Sequence, residues 1–129
     1  MIELSHVTKR FGTKTALDDL SLTVPQGAVY GLVGSNGAGK STALRHIMGI
    51  YRPDAGSVTI GGLPVYENPE VKSRIGYIPD DLSVFGSGTI QELAAFYRAM
   101  YPRFDLSRFL ALREVFRLEE KAPLRRFSK

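Results

Sequence analysis

Gly34-Ser35-Asn36-Gly37-Ala38-Gly39-Lys40-Ser41 is the stretch on which the reading of this chain turns. It satisfies G-x-x-x-x-G-K-[ST] at every fixed position, the spacing of a loop that cradles phosphate. A polyphosphate tail carries several negative charges and many acceptor oxygens. Glycines at 34, 37 and 39 let consecutive backbone amides turn inward, and the missing side chains let the backbone approach the oxygens. A helix starting at the end of the loop adds free amides and a partial positive charge. Lys40 supplies a full charge for the terminal phosphates, and Ser41 a hard oxygen for Mg²⁺. The alternative is a glycine-rich turn that matches by chance, which at ordinary glycine usage happens roughly once in a few hundred chains of this length. The loop's contacts are the same for ATP and GTP, so discrimination between bases has to come from elsewhere.

The flanks have the character such a loop requires. Ala28–Val33 is a short apolar run bounded by turn residues, which predicts a strand buried on both faces in a parallel sheet. Ser41–Ile50 places Leu44, Ile47 and Met48 on one helical face, with Gly49 or Arg52-Pro53 as the stop. Upstream, Leu20, Leu22 and Val24 alternate with Ser21 and Thr23, and Pro25-Gln26-Gly27 turns the chain. Downstream, Val58 and Ile60 alternate before Gly61-Gly62, and Ile75–Ile78 is a further strand candidate stopped by Pro79. The character then changes. Thr89 and Glu92 have capping-box spacing ahead of a stripe of Ile90, Leu93, Ala94, Tyr97, Met100 and Tyr101, ended by Pro102. Asp105 is placed to cap a second helix carrying Phe109, Leu112 and Phe116, with Arg113 inside the same arc.

The 129 residues, 43% hydrophobic and 23% charged, fit a globular protein with a real core. No apolar run approaches the roughly 20 residues of a membrane span, and the first residues lack signal-peptide character. The absence of cysteine excludes disulfides, thiol catalysis and thiolate zinc sites. From residue 103 onward eight basic groups face four acidic ones, which equals the whole net charge of +4. A basic tail of this kind is either a solvated surface or a phosphate-binding one.

Taken in order, five segments resemble the ATP-binding domain of an ABC (ATP-binding cassette) transporter, and the likeness runs along the whole chain. They are Val7-Thr8-Lys9-Arg10-Phe11-Gly12, Ala16–Leu22, Gly34–Thr42, Pro53–Val58 with Gly61-Gly62, and Ile75-Gly76-Tyr77-Ile78-Pro79. The resemblance implies an α/β fold of the P-loop NTPase, ABC ATPase type. It has an N-terminal antiparallel β part, a partial parallel sheet and the start of a helical subdomain, with residues 1–82 as the nucleotide-binding core and 83–129 as the helical part. It implies ATP and Mg²⁺ as cofactors, held by Phe11, Ser35, Asn36, Gly37, Ala38, Gly39, Lys40, Ser41 and Thr42, with Phe11 stacked on the base. A strand-end packing role for Phe11 is the alternative. The implied partners are a second ATPase subunit, identical or not, and a transmembrane permease, with no nucleic acid. The implied location is the cytoplasmic face of the cell membrane.

Two departures stand out. Where the family carries glutamine, this chain has Asp80 followed by Asp81. A carboxylate at 80 is either a Mg²⁺ ligand alongside Ser41 or the cap of a turn after Pro79. The family's Walker B segment, catalytic glutamate and switch histidine have no counterpart, and Phe127-Ser128-Lys129 resembles the opening of the family's signature motif. The chain therefore reads as an N-terminal piece of an ABC ATPase. It is expected to bind nucleotide without efficient turnover, to contain no catalytic residue of its own, and to leave a sheet edge exposed. A small stand-alone P-loop NTPase or kinase using Asp80 or Asp81 with Mg²⁺ is the competing reading. A nucleic-acid module built on residues 103–129 is a third.

Overall fold

Ile2–Phe11 (β1) and Lys14–Val24 (β2) form a long antiparallel hairpin, and Ala55–Ile60 (β3) and Leu63–Pro64 (β4) add to it in the order β2-β1-β3-β4. These coordinates are a computed structural model that describes residues 1–78 and 88–126. The chain divides into two compact units, Met1–Tyr77 and Ile78–Lys129.

In β2, Leu20, Leu22 and Val24 are half-buried while Ser21 and Thr23 are exposed, so the expected alternation holds. β1 gives no such signal in the sequence, for a reason the coordinates supply. Leu4 and Val7 are both buried although they are three residues apart, a spacing that puts side chains on opposite faces of a regular strand. The register shifts between them, and His6 between them has φ 51. A bulge of this kind re-phases the strand and returns the second residue to the core. β2 answers with a matching irregularity at Asp19, φ 50, between Leu17 and Leu20. Gly61-Gly62 joins β3 to β4, with Ile60 opposite Leu63.

Lys40–Ile47 (α1) and Pro69–Lys72 (α2) contribute Ala43 and Val71 to the core that the strands build. The core is Leu4, Val7, Leu17, Ala43, Val58, Val65 and Val71, with Ile2, Leu20, Leu22, Ile47, Ile60 and Ile75 packed against it. α1 presents Ala43 and His46 to the core and leaves Leu44 exposed, so the inward arc differs from the one expected from Leu44, Ile47 and Met48. α2 is a single four-residue turn with no apolar periodicity to announce it. Its signal is Asn68-Pro69: the Asn68 side-chain Oδ1 accepts from the Val71 amide at 3.2 Å, and proline occupies the first turn.

Two strand expectations are corrected. Ala28–Val33 is not in a strand, and Val33 is 94% exposed. Ile75–Ile78 makes no ladder either; Ile75 touches the core but Ile78 is 89% exposed. Among the described residues the only sheet is antiparallel, and no parallel pairing is present in it. A run that is apolar on both faces becomes a strand only when neighbours satisfy its amides and carbonyls on either side. No described segment does so here.

In the second unit, Ile90–Met100 (α3) starts with the expected capping box. The Thr89 hydroxyl accepts from the Glu92 amide at 3.2 Å, and the Thr89 amide donates to Glu92 Oε2 at 2.8 Å. Ile90 and Ala94 are buried, whereas Met100 and Tyr101 face outward, so the buried stripe is narrower than the sequence pattern. Tyr101 is extended at φ −120, as the residue before Pro102 prefers. Leu106–Val115 (α4) is capped by Asp105, whose Oδ1 accepts from the Arg108 amide at 2.9 Å. α4 buries no residue, and Arg113 pairs with Glu120 at 2.9 Å. The Leu124 amide donates to the Gly88 carbonyl at 2.8 Å, tying the 3₁₀ turn Leu124–Arg126 to the residues just before α3. No helix of the described residues is long and apolar enough to cross a membrane.

Candidate functional site

The glycine-rich segment leads directly into α1. Ser35–Ala38 closes as a turn, the Ala38 amide donating to the Ser35 carbonyl at 3.2 Å with Gly37 at φ 85. Positive φ at the third position of such a turn is glycine territory. Gly39 follows at φ 91 and is the N-cap of α1. There is a second reason for glycine at 39. A Cβ there would overlap the Ala16 carbonyl oxygen and lie 2.9 Å from Leu17 Cδ2. The loop is thus pressed against β2, and the constraint operates whether or not a ligand is bound. Gly34 differs from the expectation: its φ is not positive, and a Cβ would make only ordinary contacts with Ala38 and Lys40.

α1 begins with no side-chain cap and no acidic residue in its first turn. Its leading amides are therefore left for an external acceptor. Lys40 Nζ donates to the carbonyls of Gly34 at 2.6 Å and Ser35 at 2.7 Å. An ammonium group has three donors; two of them hold the loop's entrance to its exit, and a third could meet an external acceptor. Ser41 is exposed and Thr42 half-buried at the head of the helix. Uncapped amides, a lysine and a hydroxyl in one turn, without a nearby carboxylate in that turn, are a donor set that fits a polyphosphate with Mg²⁺. A cleft of about 360 Å³ runs beside the loop between Leu17, Leu20, Leu32 and Val33 and Ala38, Gly39 and Ala43. Its walls are mostly hydrocarbon, with Thr15, Asp18 and Lys40 as the polar side chains that line it.

Phe11 ends β1 and is 44% exposed. Its ring meets Tyr51 edge-on, centroids 5.4 Å apart at 66°, and Lys9 Nζ lies 5.6 Å from its centroid. Tyr51 was not singled out by sequence reasoning. An aromatic two residues beyond a helix-ending glycine is the only signal it offers, and without the fold nothing says that it faces residue 11. The end of β1 is bonded to the same turn: Lys9 Nζ reaches Asp54 Oδ1 at 2.8 Å and the Arg52 carbonyl at 3.0 Å, and the Arg10 amide donates to Asp54 Oδ2 at 2.7 Å. The Lys9 hydrogen bond, followed by that from the Arg10 amide, holds the Asp54 carboxyl below its ordinary value.

Asp80, Asp81 and Ser128 lie outside the described residues. Among the described residues no three His, Cys, Asp or Glu side chains are grouped to hold a metal ion. The two histidines serve separate local roles, His6 pairing with Asp19 at 2.8 Å and His46 with the Thr42 carbonyl at 2.8 Å.

Comparison with known proteins agrees with this geometry. The family model described as ABC transporter matches residues 17–128. The ABC transporter ATP-binding protein YtrB of Bacillus subtilis (strain 168) is 34% identical over 128 residues, covering 99% of this chain and 44% of that protein. The Nod factor export ATP-binding protein I of Mesorhizobium japonicum is 38% identical over 128 residues, covering 96% of this chain and 38% of its own length. The chain thus spans less than half the length of these relatives. Among solved structures, an ATP-binding subunit of an ABC transporter superposes with a TM-score of 0.82 at 26% identity, over 100% of this chain and 56% of that one. An ATP-binding cassette solved as a dimer with ADP and Pi shares the fold at a TM-score of 0.74 and 22% identity, over 99% of this chain and 63% of that one. The α/β, P-loop NTPase architecture expected from the sequence is thereby established.

Proposed function

The chain belongs to the ABC transporter family, and from that premise we propose that it forms the nucleotide-grasping part of an ATP-binding subunit, taking Mg-ATP on the loop Ser35–Thr42. The observation that carries the proposal is the loop itself: an uncapped start of α1, glycine backbone at 37 and 39, and Lys40 spanning Gly34 and Ser35. The amides of Gly37, Gly39 and the first turn of α1 bind the phosphate oxygens. Lys40 orients the terminal phosphates and offsets their charge. Ser41 offers its hydroxyl to Mg²⁺, with Asp80 a second candidate ligand. Bound Mg²⁺ neutralises charge that builds up during phosphoryl transfer. Phe11 supplies an aromatic face to the base, an interaction that tolerates any base.

In the larger protein the bound nucleotide would draw two ATPase subunits together and drive a permease, at the inner face of the membrane. The names of the relatives, an ABC transporter ATP-binding protein and a Nod factor export ATP-binding protein, support that reading. These 129 residues hold the cradle but no Walker B aspartate or water-orienting glutamate. Loss of the water-orienting group removes orders of magnitude in rate, so the chain by itself binds nucleotide and turns it over slowly. Calorimetry with Mg-ATP tests the binding. Lys40→Ala removes a charged hydrogen bond and should weaken affinity about 10- to 150-fold. No heat from folded wild-type protein would refute the cradle. Steady phosphate release by the chain alone, abolished by Lys40→Ala, would favour a stand-alone NTPase instead.

A further inference from the structure

We infer that Tyr51 is a positioning residue for the nucleotide base: together with His46 it braces the Phe11 ring and ties it to the helix that carries the phosphate loop. The inference rests on the reading that Phe11 meets the base, and it adds a device that holds base and phosphate subsites in one register.

The brace can be followed atom by atom. The Thr42 carbonyl, in the first turn of α1, accepts from His46 Nδ1 at 2.8 Å. That bond puts a proton on Nδ1 and fixes the ring plane. His46 is 1% exposed, and its Nε2 has no hydrogen-bond partner. A buried ring nitrogen without a partner is unfavourable; what the ring provides here is a flat contact. The Tyr51 ring sits 5.8 Å from it at 70°, and the Phe11 ring 5.4 Å from Tyr51 at 66°. Edge-to-face pairs at these separations are attractive and directional. Arg45 adds a cation 5.8 Å from the Tyr51 centroid. The path from phosphate helix to base-stacking ring is therefore continuous: Thr42, His46, Tyr51, Phe11.

The backbone delivers Tyr51 to this place. At the end of α1, the Gly49 amide donates to the His46 carbonyl and the Ile50 amide to the Arg45 carbonyl, each at 2.9 Å. This is the Schellman closure, which needs a left-handed residue. Gly49 supplies it at φ 65, and a Cβ there would lie 2.9 Å from the Val65 carbonyl oxygen. The Tyr51 amide also reaches the Arg45 carbonyl at 3.3 Å. From the other side, Asp54 and the Arg52 carbonyl hold Lys9 and Arg10, the two residues before Phe11. Both the ring and the backbone of Phe11 are thus referenced to the turn that follows α1.

Without the brace, Phe11 must be ordered each time a base binds, which lowers affinity for the base but not for the phosphates. The test compares calorimetric binding of Mg-ATP with that of Mg-tripolyphosphate, which has the phosphates and no base. Tyr51→Ala should weaken ATP about 3- to 10-fold and leave tripolyphosphate unchanged. Tyr51→Phe should restore ATP binding, and Tyr51→Leu, which fills volume without a flat edge and serves if the alanine variant does not fold, should behave like alanine. Phe11→Ala is the reference, with about a 10-fold or greater loss for ATP only. If Phe11→Ala lowers the ratio of ATP to tripolyphosphate affinity while Tyr51→Ala and Tyr51→Leu do not, the brace is refuted and the base reading stands. If Phe11→Ala lowers the ratio while Tyr51→Ala and Tyr51→Leu weaken both ligands alike, Tyr51 is merely structural and the inference falls. If Phe11→Ala leaves the ratio unchanged, the base reading fails and the inference with it.

Discussion

Gly39→Ala separates the two reasons for glycine in the loop before α1. The residue sits at φ 91, where an alanine is strained by about 1–2 kcal/mol. The added methyl would also overlap the Ala16 carbonyl oxygen and approach Leu17 Cδ2 to 2.9 Å. Leu17 can rotate away, but the Ala16 carbonyl belongs to β2 and moves only with the strand. Overpacking against such a wall costs about 1–3 kcal/mol. The sum is roughly 2–5 kcal/mol, a large part of the 5–15 kcal/mol that keeps an ordinary domain folded. Gly37→Ala is the built-in control: φ is 85, but nothing lies within 4 Å of a Cβ. It should lose only the conformational part, about 1–2 kcal/mol. Urea unfolding without nucleotide reads the difference. With a slope near 2 kcal/mol/M, Gly39→Ala lowers the midpoint by about 1–2.5 M and Gly37→Ala by about 0.5–1 M, with slopes unchanged. Equal shifts for the two variants would refute the close approach of loop and strand.

Two further outcomes follow from local geometry. Asp54 is held below its ordinary pKa of 3.8 by Lys9 and Arg10, so its contribution is present above the unfolded-state value and disappears as pH falls through the lower folded one. The stability gap between wild type and Asp54→Asn should be flat above about pH 5 and shrink below it; a gap that widens in acid would contradict the pairing. Thr89→Ala removes one half of the capping box and should destabilise α3 by about 1 kcal/mol. The expected sign is faster hydrogen exchange at Glu92 and Leu93, with Thr89→Ser close to wild type.

The division between what could be read early and what could not follows a physical line. Signals carried by a few neighbouring residues were legible: the glycine-rich loop that leads into α1, the Thr89 and Asp105 caps, the alternation of β2, and the turn at Gly61-Gly62. Each of these is settled within one or two turns of backbone, where spacing dictates which groups can meet. Asn68-Pro69 was equally local and was passed over because α2 is a single turn. β1 was harder, since its bulge at His6 breaks the period on which strand reading depends.

By itself, the sequence determined that a glycine-rich loop leads into a helix behind a β-rich start, and that this order of segments is that of an ABC ATPase. Only the tertiary structure decided that Ala28–Val33 and Ile75–Ile78 are unpaired among the described residues, because a ladder depends on partners and apolar composition cannot supply them. Only the fold could bring Tyr51 against Phe11 and Asp54 against Lys9, forty or more positions apart, or press Gly39 onto Ala16. Contacts of that range are made by the closing of the sheet around Leu4, Val7 and Val58, and no local pattern of residues encodes them.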